Sequence, residues 1–175
     1  MLLKDKIIKM LKDVKEASLK LGNISTKDKD KAILAMASAL LKNTKYILSE
    51  NVKDVALSNK TGLSKALVDR LTLTEKRIKE MADSLKQVAS LKDPIGRILR
   101  QWKRPNGLII KKVSVPICVI GIIYESRPNV TSDCAGLCLK SGNACVLRGG
   151  SESINSNLAI HKVITKGLGK FCIPE

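Results

Sequence analysis

Apolar residues recur every three or four positions through the first half of the chain and bunch into short continuous runs in the second. Leu3, Ile7, Met10, Leu11, Val14 and Ala17 share one face, which predicts an amphipathic helix over 3–21, stopped by Gly22-Asn23. Ser25 with Asp28 reads as a helix start, and a second helix follows through Ile33, Leu34, Ala37, Leu40 and Leu41. A third is expected over 44–59, ending near Gly62, with a short helix or turn over 63–71. Thr72 with Glu75 gives another capping signal, opening a helix through Ile78, Met81, Leu85, Val88 and Leu91 that Asp93-Pro94 breaks.

The period then shortens. Residues 97–104 and 108–115 are two extended runs about Pro105-Asn106-Gly107, a hairpin turn signal. Residues 117–124 form a continuous apolar strand of the kind buried on both faces. After a loop over 125–130, Thr131 or Ser132 is expected to cap a short helix that ends at Ser141-Gly142. A second strand over 144–147, a turn at Arg148-Gly149-Gly150 and a helix from Ser151 to about Lys170 complete a βαβα unit of a parallel sheet. A third strand is expected to begin at Ile173-Pro174-Glu175, so the sheet reads as unfinished, with an aggregation-prone open edge. Residues 1–93 are expected to form a helical segment, 94–116 a hairpin, and 117–175 an incomplete sheet domain.

Composition narrows the function classes. Of the 175 residues 44% are hydrophobic and 27% charged, globular values that exclude wholesale disorder. The aromatics are only Tyr46, Trp102, Tyr124 and Phe171, too few for a base-stacking platform. The formal charge of +16 divides evenly: 20 basic against 12 acidic residues over 1–93, and 12 against 4 over 94–175. In the first half Lys alternates with Asp and Glu along helical faces, the pattern of a solvated surface and not of a phosphate-tracking stripe. Specific nucleic-acid binding is therefore not expected, although the acid-poor second half suits an anionic ligand. The longest uncharged run, 113–124, is far short of the about 20 residues a membrane span needs. Charges at Lys4, Asp5 and Lys6 leave no signal-peptide apolar region. The odd number of cysteines (118, 134, 138, 145 and 172) suits free thiols in a reducing cytoplasm.

The stretch VPICVIGIIYESRPNVTSDCAGLCLKSGNACVLRGGSESINSN (115–157) carries the specific signal. Its segments IYESRPNVT, LCLKSGNA and LRGGSE, with the earlier DRLTLTEKRI, LKDPIG and RPNGL, closely resemble the gamma-glutamyl phosphate reductase family (glutamate-5-semialdehyde dehydrogenases) of the aldehyde dehydrogenase superfamily. The resemblance covers essentially the whole chain and only the amino-terminal portion of the family. It implies an aldehyde-dehydrogenase-like α/β fold: a helical N-terminal segment, a hairpin of the oligomerisation region, and an incomplete Rossmann-type parallel sheet. It also implies the family activity, reduction of L-glutamyl 5-phosphate by NADPH to the 5-semialdehyde and phosphate in proline biosynthesis. Such chemistry asks for a thiolate nucleophile, donors aimed at a tetrahedral oxyanion, and a cradle for the dinucleotide.

Asn129 matches the superfamily asparagine whose amide helps hold the oxyanion. Its expected place, a loop at the carboxyl end of a parallel strand, is where α/β sheets put ligands, although an Asn after Pro128 could equally just turn the chain. Arg148 and Glu152 match positions that contact the adenosine ribose and its substituent, so Arg148 would suit the 2′-phosphate of NADP(H) and Glu152 the ribose hydroxyls. Gly149, Gly150 and Ser151 could bring N–H groups near an anion, or be a Gly-Gly turn with a Ser cap. Tyr124, at the end of the first strand, joins this cofactor set. Gly167-Leu168-Gly169-Lys170 has the wrong spacing for a phosphate loop.

Cys134 and Cys138 lie four apart on one helix, but with only His161 in the chain and no CxxC a metal site is not expected. Cys118 and Cys145 read as small core residues, and Cys118 stands where the family usually has Gly. Cys172 has no base beside it. None matches the family's nucleophile, so the chain alone is expected not to turn over; a homo-oligomer or assembly with a complementary chain is the expected partner state. Two other readings stay open: a non-catalytic module that binds a nucleotide or a subunit, and a basic nucleic-acid binder.

Overall fold

Helix α2 (Thr26–Lys42) forms the centre of the molecule, packed between α5 (Glu75–Ser90) and α7 (Ile154–Leu168). The computed structural model describes residues 3–169 together with Phe171 and Ile173. Sequence expectations at Lys170, Cys172, Pro174 and Glu175, including the third strand, lie outside the described residues. Ile33, Met36 and Leu40 of α2 meet Ile78 and Leu85 of α5 and Ile160 of α7, all essentially inaccessible. Each such side chain contributes about 1.5–3 kcal/mol of burial. The core thus draws on residues from both halves of the chain. Helix α6 (Asn129–Lys140) packs on α5 where Gly136 gives Leu85 room: a Cβ there would lie 2.5 Å from the Leu85 Cδ2.

Helices α1 (Leu3–Leu21), α3 (Thr44–Lys60) and α4 (Lys65–Leu71) complete the helical part. As its hydroxyl spacing predicts, Ser25 caps α2, accepting from the Asp28 N–H at 3.2 Å while donating to the Asp28 carboxylate at 2.7 Å. The cap of α5 falls elsewhere than expected. Thr74, not Thr72, accepts from the Arg77 N–H at 3.1 Å, because Thr72 closes α4 with its hydroxyl on the Val68 carbonyl. Helix α1 forms over the expected span, yet Ile7, Met10 and Leu11 stay exposed and only Ser18 and Leu21 are buried, where α1 meets the sheet.

Two lysines depart from the solvated pattern. Lys29 is buried against Asp93 at 2.5 Å, and Lys140 is buried against Asp30 and the Ala89 carbonyl. Both hold α2 to the end of α5, a position where an ion pair needs its full complement of partners.

Strands β1 (Ile98–Lys103) and β2 (Ile109–Val113) form the expected antiparallel hairpin, its apolar residues Leu99, Trp102 and Ile109 exposed. Strands β3 (Val119–Ile123) and β4 (Ala144–Arg148) pair in parallel, from Val119 opposite Ala144 to Ile123 opposite Arg148, with α6 as the crossover. β3 is not buried on both faces as its sequence suggests: Ile123 is 76% exposed. Among the described residues the sheet has two strands, so too little covers it. Helix α6 starts at Asn129 with Pro128 at its cap position, so Thr131 and Ser132 lie inside the first turn, buried, instead of capping it. A 3-10 turn over Ser151–Ser153 precedes α7, so the expected single helix starts three residues late.

Cys118 is exposed and lies before β3, not inside a core strand, with φ at +100°. Its backbone is fixed there by the Asn143 side chain on its N–H and the Ala144 N–H on its carbonyl, both 2.9 Å. A Cβ is disfavoured at this φ, which supplies a physical reason for a glycine at the site. Cys118→Gly is expected to raise stability by about 1 kcal/mol, read as a higher urea midpoint; an unchanged or lower midpoint contradicts this.

Candidate functional site

The parallel register brings the carboxyl ends of β3 and β4 side by side, with the Tyr124 N–H donating to the Arg148 carbonyl at 3.0 Å. Everything downstream of those ends therefore gathers at one edge. Three adjoining depressions run along it. The first, about 740 Å³, is lined by Tyr124, Arg148, Gly150, Ser151 and Glu152, facing Leu57 and Leu63 from α3 and the loop after it. The second, about 270 Å³, shares Tyr124, Glu125 and Ser126 with the first and adds Arg70 and Arg127. The third, about 390 Å³, keeps Arg70 and Arg127 and reaches Asn129 and Asp133. Arg148 and Glu152 thus lie at one end of a groove and Asn129 at the other.

Of the residues singled out from sequence, Gly149 has a role the spacing did not suggest. A Cβ on Gly149 would lie 2.2 Å from the Asn157 Nδ2 and 3.1 Å from the Tyr124 ring, so the glycine admits those side chains. The Tyr124 hydroxyl turns inward to Thr131 at 2.6 Å, and Thr131 donates to Asn157, which donates to Ser153. Burial pushes the Tyr124 phenol up, so it keeps its proton at neutral pH. A Cβ on Gly150 would meet only the Glu152 carboxylate, the far end of that side chain, at 2.0 Å, so the side chain and not the backbone would have to give way. That carboxylate folds back and accepts from the Ser126 hydroxyl at 2.7 Å. Arg148 is exposed, and among the described residues no partner takes its guanidinium.

Asn129 is the first residue of α6 and not a loop residue, and its Nδ2 donates to the Asp133 carboxylate one turn on, at 3.0 Å. The other Asp133 oxygen is buried with no hydrogen-bond partner. Burial pushes the Asp133 carboxyl up, against the pull of Asn129 and Ser84. Sequence reading missed Asp133, Arg127 and Arg70; the i, i+4 spacing of Asn129 and Asp133 on a helix was the available signal.

The four described cysteines are free thiols, and none lines the groove. Cys138 and Cys145 meet between α6 and β4, and their hydrogen bond favours charge on Cys138 while holding Cys145 protonated. Among the described residues no group of three or more His, Cys, Asp or Glu side chains could hold a metal ion. Nor, among those residues, is any helix long and apolar enough to cross a membrane.

No family model matches the chain. It is 57% identical over 164 residues to the gamma-glutamyl phosphate reductase of Caldanaerobacter subterraneus subsp. tengcongensis, covering 94% of this chain and 40% of that protein. Against the enzyme of the same name from Clostridium acetobutylicum the identity is 50%, covering 99% of this chain and 41% of that one. The crystal structure of gamma-glutamyl phosphate reductase from Thermotoga maritima superposes with a TM-score of 0.93 at 47% identity, over 95% of this chain and 40% of that one. An acetylating aldehyde dehydrogenase from Geobacillus thermoglucosidasius gives 0.72 at 14% identity over 98% of this chain and 35% of that one, which shows the fold alone. The fold is thus the N-terminal segment of the aldehyde dehydrogenase fold, and the chain spans about 40% of the length of the curated relatives it matches.

Proposed function

We infer that this chain, which corresponds to the amino-terminal portion of the gamma-glutamyl phosphate reductases, supplies the cofactor groove and part of the acyl-phosphate site for NADPH-dependent reduction of L-glutamyl 5-phosphate to L-glutamate 5-semialdehyde and phosphate. The observation that carries this reading is the single groove joining Arg148 and Glu152 to Asn129 at the carboxyl ends of two parallel strands. Arg148, exposed and without a partner among the described residues, takes the 2′-phosphate of NADP(H). Glu152 takes the ribose hydroxyls, and the Gly150-Ser151 backbone admits the diphosphate. A bound reduced nicotinamide supplies the hydride.

At the other end the Asn129 amide, its rotation limited by Asp133, donates to the oxygen that becomes negative when a thiolate adds to the acyl carbon. The nucleophile has no match in these 175 residues, and Cys138, whose thiol is the one favoured to ionise, lies away from the groove. Turnover then depends on residues supplied beyond this sequence, by a longer chain or by a complementary one. The exposed apolar hairpin residues Leu99, Trp102 and Ile109 suit assembly into an oligomer in the cytoplasm.

NADPH titrated into the chain is expected to quench or shift its own fluorescence saturably, more tightly than NADH. Arg148→Glu is expected to weaken NADPH binding by about 10- to 100-fold, the scale of a lost charge-assisted hydrogen bond, while NADH changes little. NADPH affinity indifferent to Arg148→Glu would overturn the cofactor assignment. Robust NADPH production by the isolated chain from the semialdehyde, NADP and phosphate would overturn the need for a further nucleophile.

A further inference from the structure

Arg70 and Arg127 come from distant parts of the sequence and line the same two depressions, the one that holds Asn129 and the one that leads to it. Arg70 lies in the last turn of α4, and Arg127 stands two residues before Asn129. Among the described residues neither guanidinium has a hydrogen-bond or ion-pair partner. Of the acids that line these depressions, Glu125 is exposed to solvent and, among the described residues, pairs with neither arginine; the other three are engaged elsewhere. Arg77 donates to both carboxylate oxygens of Asp69 at 3.2 Å and to the Asp69 and Thr72 carbonyls, so Asp69 does not neutralise its neighbour Arg70. Glu80 is exposed and faces Lys76 at 3.9 Å. Asp133 accepts from Asn129, and burial discourages its ionisation. Two planar cations, neither ion-paired among the described residues, therefore flank one cleft beside the amide assigned to the reacting carbonyl.

We propose that Arg70 and Arg127 form a clamp for the phosphoryl group of an acyl phosphate, in the same site where Asn129 faces its carbonyl oxygen. This rests on the functional reading above and assigns it the leaving group. The choice of phosphoryl over carboxylate follows from connectivity. In an acyl phosphate one bridging oxygen separates phosphorus from the reacting carbon, so cations next to Asn129 meet the phosphoryl group first. The α-carboxylate of a glutamyl chain lies three carbons further off. Two guanidiniums also match a dianion better than a single carboxylate. The clamp serves departure as well as binding: a new carbon–sulfur bond forms at the acyl carbon as the carbon–oxygen bond to phosphate breaks. The electron pair leaves on the phosphate oxygen, which gains the proton that the thiol gave up, and the positive pair stabilises that charge as it develops.

The test uses the 175-residue chain and inorganic phosphate. Proton–nitrogen NMR follows the Arg70 and Arg127 side-chain Nε–H signals and the Asn129 amide, with sodium chloride matching ionic strength. Phosphate is expected to shift the three signals together and saturably. Arg127→Gln and Arg70→Gln are each expected to weaken that binding at least about tenfold. Neither is expected to change the NADPH response of Arg148. L-glutamate, run as a separate arm, is expected to shift the arginine signals less than phosphate. Stronger shifts with L-glutamate overturn the phosphoryl assignment. Shifts confined to Arg148 and residues 149–151, or scattered over surface lysines, overturn the clamp itself. Loss of NADPH binding with the phosphate response intact counts against the cofactor reading and leaves the clamp standing.

Discussion

Asp54→Ala is expected to cost about 3–5 kcal/mol, enough to unfold much of a domain of ordinary stability. The carboxylate sits on α3 and is 1% exposed. One oxygen accepts from the Asn155 N–H at 3.2 Å and its side-chain amide at 2.7 Å; the other accepts from the Ser156 N–H at 2.7 Å and its hydroxyl at 2.5 Å. Those are first-turn groups of α7, whose own cap residue, Ser153, makes no side-chain cap bond. Helix α3, about a hundred residues earlier in the sequence, therefore supplies the cap, and with it a negative charge at the positive end of α7. Alanine leaves the Asn155 and Ser156 N–H groups, the Asn155 amide and the Ser156 hydroxyl without this acceptor. Asp54→Asn, with one acceptor oxygen, is expected to lose about half as much. Urea unfolding followed by circular dichroism reads both; an alanine variant within about 1 kcal/mol of the parent would sink this account.

The second large effect is expected at Lys29. Its side chain and that of its partner Asp93 are 4% and 12% exposed. Asp93 also accepts from the Thr26 hydroxyl at 2.7 Å and the Ile95 N–H at 2.9 Å, tying the start of α2 to the chain entering the hairpin. Lys29→Ala leaves a buried carboxylate without its countercharge, a loss of about 3 kcal/mol at pH 7. The pH dependence has a definite sign. Burial alone pushes the Asp93 carboxyl up, the largest single influence. The hydrogen bonds from Lys29, Thr26 and the Ile95 N–H, with the Lys29 charge, together hold it below its ordinary range. A carboxyl held low in the folded state stabilises above its unfolded pKa, and that stability is lost as pH falls through the folded value. Without Lys29 two of the influences that hold the carboxyl low are gone, so it rises, and the stability that its ionisation contributes at neutral pH shrinks. The gap between parent and variant is therefore widest near pH 7 and closes below about pH 4. Equal gaps at pH 7 and pH 3.5 would refute the assignment.

These two residues mark where sequence reading stops. The helices were legible because Ile33, Leu40, Ile78, Leu85 and Ile160 keep helical spacing, and that spacing is what buries them. The hairpin was legible from Pro105-Asn106-Gly107, and the parallel pair from two apolar runs at crossover distance. Asp54 and Lys29 were not, because in a helix an acid or a lysine facing water and one facing another helix repeat identically; only tertiary placement separates them. The same limit applies at the site. Arg148, Glu152 and Asn129 could be named from motif residues, whereas the pairing of Arg70 with Arg127 depends on α4 folding back beside the end of β3. Gly149 shows the converse: a glycine that reads as a phosphate turn is required by the Asn157 amide packed above it.

The hydrogen bond from Ser126 to Glu152 spans the groove's two halves, since Ser126 belongs to the loop that carries Arg127 into α6. A sugar hydroxyl that takes the Glu152 carboxylate must compete with Ser126 for it. Occupancy at the ribose end would then release the segment that presents Arg127 to the other end. Such a latch couples the two ends of the groove, so that Ser126→Ala would make the second ligand's affinity indifferent to the first.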